Sequence, residues 1–231
     1  MKNNMYKDVK TWNPQVGCKF DCTYCKPSFQ RIVKWSAGMR DNCSGCKGFR
    51  PHQHEERMDR IPGAGTVFVC GNGDISFAKP VYVRKIISAI QERITKHPDQ
   101  QFYFQSKNPK CFEQYLCDFP KDNTILLTTL ETNRDEGYNQ ISKAPVPSKR
   151  YADFKAVAWH RKIVTIEPIL DFDQDVFLRW IQDIGPEAVY IGYNSRPEAV
   201  QLPEPDQEKV DRFIAALKDK NITVKEKTMR R

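Results

Sequence analysis

Cys18-Lys19-Phe20-Asp21-Cys22-Thr23-Tyr24-Cys25 places three thiols within eight residues, spaced C-x3-C-x2-C. A loop of that spacing can present three thiolates to one face of an inorganic cluster. A [4Fe–4S] cluster takes four thiolates. Three leave one iron open to a small molecule. Zinc loops favour repeated Cys-x2–4-Cys pairs, and three-then-two spacing departs from that habit.

Outward from this loop the chain alternates short apolar runs with helical stretches, which indicates an α/β protein with a parallel sheet. Residues 9–12 read as a strand leading into the loop, and 30–39 as a helix after it. Further strands are expected at 66–70, 101–105, 124–130, 163–166, 188–191 and 222–224. The 80–96 segment has helical spacing at Val83, Ile86, Ile87, Ile90 and Ile94, with Pro80 at its start and Pro98 beyond its end. Helices are also expected at 110–117, 153–160, 173–184 and 206–220, and 135–151 reads as a Pro- and Lys-rich loop. That makes about six strand–helix units. The pattern alone equally fits a flat doubly wound sheet.

In parallel α/β architectures reactive groups gather at the carboxyl ends of strands. Here those ends carry Asn72 and Asp74, Ser106 and Lys107, Glu131 and Asn133, Glu167, and Tyr193 and Asn194. Each alone is an ordinary loop residue or cap; together they suit a ring around a ligand. Gly71-Asn72-Gly73-Asp74 adds glycines that let a backbone approach a ligand closely, though a lone G-x-G-D also makes a plain turn.

The C-x3-C-x2-C loop with Tyr24 before its last cysteine resembles the cluster motif of the radical S-adenosylmethionine (radical SAM) superfamily. Thr11-Trp12-Asn13-Pro14, Val67-Phe68-Val69 running toward Asp74, and Thr165-Ile166-Glu167-Pro168 are similar to a small phage and prokaryotic radical SAM family related to spore photoproduct lyase, which repairs DNA. The likeness covers roughly residues 11–194. The chain departs from that family in its tight cluster spacing and in the Cys43 region, and from the wider superfamily in having G-x-G-D where Gly-Gly-Glu is usual.

The resemblance implies a partial (β/α)6 barrel with a Cys/His-containing insertion after the first β/α unit. It implies a [4Fe–4S] cluster held by Cys18, Cys22 and Cys25, and S-adenosylmethionine (SAM) as a second cofactor. The Gly71, Asn72, Gly73 and Asp74 turn would then hold the methionine amino group. Ser106, Glu131 and Asn133 would take the ribose hydroxyls or the methionine carboxylate, with Glu167 and Asn194 completing the ring. Tyr24 would lie near the adenine. An electron donor such as flavodoxin or ferredoxin would reduce the cluster, and the radical released from SAM would abstract hydrogen from a substrate. Cys70, Tyr103 and Tyr193 are candidates for returning a hydrogen atom.

A second group, Cys43-Ser44-Gly45-Cys46 followed by His52 and His54, is a metal-ligand set. Zinc leads; a reduced cysteine pair and an auxiliary cluster completed by Cys70 are the alternatives. The insertion, residues 40–65, also carries Lys47, Arg50, Arg57 and Arg60. Cys111 and Cys117 read as small apolar residues.

The chain of 231 residues is expected to form one domain, residues 1–231. Its net charge of +8 favours a nucleic acid or nucleotide partner. A radical SAM enzyme acting on a peptide is the second reading, and a non-enzymatic zinc protein that binds nucleic acid the third. The third explains the Cys/His group and the charge, but not the polar strand ends. No apolar run approaches the ~20 residues needed to span a bilayer. The polar start of the chain lacks a signal-peptide core, so a cytoplasmic location is expected.

Overall fold

The computed structural model describes residues 8–39 and 42–230. Arg40 and Asp41, where the expected insertion begins, lie outside the described residues, as does Arg231 of the basic C-terminus. In chain order the elements are β1 (Val9–Trp12), β2 (Gln15–Val16), α1 (Arg31–Met39), α2 (Ser44–Gly48), β3 (His52–Gln53), β4 (Thr66–Val69) and α3 (Pro80–Lys96). Then follow β5 (Gln101–Gln105), β6 (Thr124–Thr129), α4 (Pro147–Ala156), β7 (Lys162–Ile166), α5 (Gln174–Ile184), β8 (Ala188–Gly192), α6 (Gln207–Asp219) and β9 (Thr223–Lys227).

Seven strands form one all-parallel sheet in the order β1-β4-β5-β6-β7-β8-β9. The order never reverses. A doubly wound sheet reverses at a switch point, so that alternative falls. An unreversed order keeps the crossovers on one face, and the sheet curls with its helices outside. Strand alternation then sorts the side chains. Phe102, Phe104, Leu126, Val164, Ile166, Val189 and Ile191 pack against the helices. Tyr103, Ile125, Leu127, Ile163, Ala188 and Tyr190 fill the concave side.

The helices supply the matching stripes. Val83, Ile86, Ile87 and Ile90 of α3 are buried at helical spacing. Asp206 caps α6 by accepting from the Lys209 amide at 2.7 Å, and Phe213 of α6 stacks on Phe177 of α5 at 5.3 Å between centroids. Gly185 ends α5 at φ 61°, a left-handed position that favours glycine.

Three details differ from the sequence reading. The seventh strand, β9, is longer than the expected 222–224 stub and completes the sheet edge. The helix expected at 153–160 begins earlier, at Pro147. Proline at the first helical position lacks only an amide hydrogen that has no partner there anyway, so it opens a helix as readily as it marks a loop. The stretch expected as helix 110–117 is a 3-10 helix, Pro109–Tyr115.

Candidate active site and metal-ligand group

The concave face changes character along the strands. Its lower part is closed by Tyr103 and Tyr190, whose hydroxyls lie 3.1 Å apart. One level higher it is polar: Gln105 Nε2 donates to Thr129 Oγ1 at 2.7 Å, and the Thr129 and Thr165 hydroxyls are 2.9 Å apart. Above this floor, at the carboxyl ends of the strands, a cavity opens. Cys18, Cys22 and Cys25 line it together with Gly71, Gly73 and Asp74. Gln105, Lys107, Thr129 and Glu167 face it from the sheet, and Phe20, Phe29, Phe49 and Phe68 add apolar walls.

The cysteine loop is fixed from two sides. The Thr23 amide donates to Ile141 O at 2.9 Å, and the Lys143 amide to Phe20 O at 2.7 Å. On the other flank Gly17 pairs with Gly73. Neither Gly71 nor Gly73 has a positive φ; the close approach is what requires glycine. A Cβ on Gly73 would sit 2.6 Å from Gly17 O, and one on Gly71 2.8 Å from Thr11 Cγ2.

The three thiols are electrostatically unequal. Burial pushes Cys18 up. Cys22 and Cys25 share a proton: the Cys25 thiol's hydrogen bond holds Cys22 below the ordinary thiol range, and the same bond pushes Cys25 up. Ser142 Oγ lies 3.1 Å from Cys22 Sγ and assists. Among the described residues no fourth cysteine lines the cavity. Three sulfurs on one wall, one readily ionised, fit a [4Fe–4S] cluster with an open iron.

Below the loop lies a buried charge network. Glu131, fully buried, accepts from Tyr24 OH at 2.6 Å and Tyr138 OH at 3.0 Å. Lys107 Nζ pairs with the same oxygen, and Arg150 Nη1 lies 2.8 Å from the other. Burial alone would raise the Glu131 pKa, but the Arg150 and Lys107 cations outweigh it and hold the carboxyl at about 2. Glu131 therefore spends both oxygens within the protein and ties Tyr24, and with it the cysteine loop, to the end of β6. Tyr24 itself lines the cavity.

Asp74 Oδ1 accepts from Ser76 N at 3.0 Å and from Ser106 Oγ at 2.7 Å, while Oδ2 accepts from Lys107 N at 2.9 Å. Ser106 is thus the strut between the ends of β4 and β5. The Asn72 amide donates to Asn13 Oδ1 at 2.7 Å. Glu167 reaches the cavity and pairs with Lys227 of β9 at 2.5 Å. Asn133 is bound to the Asp173 backbone, its Oδ1 accepting from that amide at 2.9 Å. Asn194 caps its own loop, Nδ2 donating to Val200 O at 2.8 Å. Cys70 is 2 % exposed in the helix-facing core, where burial pushes its thiol up to about 12. Asn72, Ser106, Glu131, Asn133, Asn194, Cys70, Tyr103 and Tyr193 are not among the residues lining the cavity. Arg150, Tyr138, Ser142 and the Gln105–Thr129–Thr165 layer escaped the sequence reading. Arg150 sits in a Pro- and Lys-rich stretch, and arginine carries no local sign of full burial.

The insertion gathers its four donors. The ligating atoms of Cys43, Cys46, His52 and His54 lie within 4.8 Å of one another. His52 Nε2 is 3.3 Å from both sulfurs, and His54 Nε2 is 3.2 Å from Cys46 Sγ. A tetrahedral site with zinc–sulfur and zinc–nitrogen bonds of ordinary length has such edges of about 3.5 Å. Each histidine is oriented by its other nitrogen: His52 Nδ1 donates to Arg50 O at 2.7 Å and His54 Nδ1 to Glu56 Oε1 at 2.6 Å. Both Nε2 lone pairs consequently point at the same spot. The group is braced against the cysteine loop, because β3 pairs antiparallel with β2 and the Cys18 amide donates to Phe49 O at 3.4 Å.

The sequentially ordered parallel half-barrel is a fold shared with solved radical SAM enzymes. Among solved structures, the chain is similar to a radical SAM methyltransferase from Sphaerobacter thermophilus, at 16 % identity and a TM-score of 0.63, over 98 % of this chain and 68 % of that one. It is also similar to Streptococcus suis SuiB bound to its precursor peptide SuiA, at 10 % identity and a TM-score of 0.57, over 96 % of this chain and 48 % of that one. The chain thus spans about half the length of SuiB. No protein-family model and no curated protein matches the sequence. No helix among the described residues is long and apolar enough to cross a membrane.

Proposed function

We propose that this protein is a radical SAM enzyme. The observation that carries the reading is the cavity itself: three thiols, and no fourth among the described residues, face a Gly-Asn-Gly-Asp turn across the carboxyl end of a curled parallel sheet. Cys18, Cys22 and Cys25 hold a [4Fe–4S] cluster. The cluster and SAM, when bound, supply the reductive cleavage of a sulfonium bond and a radical able to abstract hydrogen. The protein's part is binding, orientation and dryness. Backbone groups of Gly71 and Gly73 receive the methionine amino group, with Asp74 fixing the turn. Gln105, Thr129 and Glu167 offer polar contacts from the floor, and Tyr24 flanks the adenine. Glu131 serves as an anchor for Tyr24, and Ser106 as one for Asp74. The four phenylalanines keep water from the reacting centre. Flavodoxin or ferredoxin is the kind of donor that would reduce the cluster.

In the same reading Cys43, Cys46, His52 and His54 hold one Zn2+ as a closed, structural site. The two His Nε2 atoms, 2.8 Å apart with both Nδ1 atoms committed elsewhere, favour a cation between them.

Anaerobic reconstitution with iron and sulfide tests the main reading. The expected result is a brown protein with about four irons per chain that releases 5′-deoxyadenosine from SAM on reduction, and loss of that release in Cys22→Ala. A colourless protein that takes up no iron and leaves SAM intact would overturn it.

A further inference from the structure

A second concavity adjoins the cavity mouth, and the two share Cys18, Asp21, Gln30 and Phe49. Its charged lining is lopsided: Lys19, Lys26, Lys34, Arg50 and Lys143 against Asp21 alone. Asp21 is already divided between Lys26 at 2.9 Å and Lys143 at 3.0 Å. Lys19 and Lys34 are exposed and have no partner among the described residues. Arg50 is held in place, because its carbonyl accepts from His52 Nδ1 and packs onto Gly17, where a Cβ would fall 2.2 Å from that oxygen. The cationic wall is assembled from the cysteine loop (Lys19), the turn after it (Lys26), α1 (Lys34), the Cys/His insertion (Arg50) and the loop before α4 (Lys143).

We propose that this groove binds the phosphodiester backbone of a single-stranded nucleic acid and feeds one nucleotide into the cavity. The proposal rests on the enzyme reading above and names its substrate class. Charge complementarity argues for a polyanion. The aromatic lining chooses among polyanions. Phe49 borders both groove and cavity but is 5 % exposed and packs in the core, so the half-buried Phe29 and Phe68 on the cavity wall are the rings that a base entering from the groove meets. Flat rings beside a row of cations suit a base and its phosphate, because every base has a face to stack and every linkage a charge to neutralise. An acidic peptide would use the cations and leave the rings without a flat partner.

Fluorescence anisotropy with a labelled single-stranded DNA 12-mer, and with RNA of the same sequence, tests this without SAM or reductant. Four uncompensated cations predict that log K falls with log salt at a slope of about −3. Lys19→Glu with Lys34→Glu should weaken binding at least tenfold and flatten that slope by about 1.5. The equally charged control, Lys96→Glu with Lys121→Glu on exposed positions at the amino ends of β5 and β6, should leave both unchanged. Whichever strand binds more tightly identifies the sugar. No binding of either strand, equal weakening by the control pair, or equal competition by a deca-glutamate peptide each overturns the proposal. Release of 5′-deoxyadenosine by the reconstituted wild-type protein reads the enzyme assignment separately, so either conclusion can fail alone.

Discussion

Glu131 shows how much a single side chain organises here. It sits at zero exposure between two cations and two phenols. Replacing it with Gln leaves Lys107 and Arg150 buried against a neutral amide. Breaking a buried pair in this way costs about 3–5 kcal/mol, to be read as a lowered urea midpoint. The pH dependence follows from the same group. Its carboxyl is held at about 2 in the folded chain against an ordinary 4.5. The stability it confers is complete above about pH 4.5 and is lost as pH falls toward 2. Wild-type midpoints should therefore drop steeply across that window, and those of Glu131→Gln should drop less. Gly73 makes a second case. Its added methyl in Gly73→Ala would meet backbone at Gly17, which cannot swing aside as a side chain can. The expected cost is about 1–3 kcal/mol, accompanied by lower iron uptake on reconstitution. The sequence showed the thiols, the glycines and Asp74 because their types and spacing are local. It did not show that Glu131 is spoken for, because Arg150 and Tyr138 reach it from a segment with no periodic signal.

At the scale of elements, the pairing of β2 with β3 is the joint between the two cysteine groups. Strands of two residues are too short to register as a pattern, so this joint was invisible in the sequence. The four ligands, by contrast, were legible from their Cys-x2-Cys and His-x-His spacing. Metal analysis of the purified chain should find about one zinc, bound independently of iron. Cys46→Ser should abolish it and raise amide exchange at Gly17 and His54, whose backbone amides bond to Asn72 O and Pro14 O. Exchange in β6 and β7 should stay slow. The helix α4 is the reverse case: Pro145 and Pro147 look like loop punctuation, yet Pro147 opens the helix that carries Arg150 to Glu131.

At the scale of the molecule, strand count and sheet direction were readable because parallel strands buried on both faces leave dense apolar runs. The curl was not, since apolar runs do not state their order in space. The order β1 through β9 provides it, and with it a molecule having an apolar outer layer under helices and a concavity that turns polar toward one end.

That sheet does not close. β1 and β9 are its two ends, and no ladder joins them among the described residues. A complete ring admits a polymer only by threading, which demands a free terminus. A C-shaped sheet has a side entrance. A long chain can be laid in across the middle and lifted out again without its ends being found. A covalently circular single strand should then bind in the groove as tightly as its linear form, and competition between the two measures this directly.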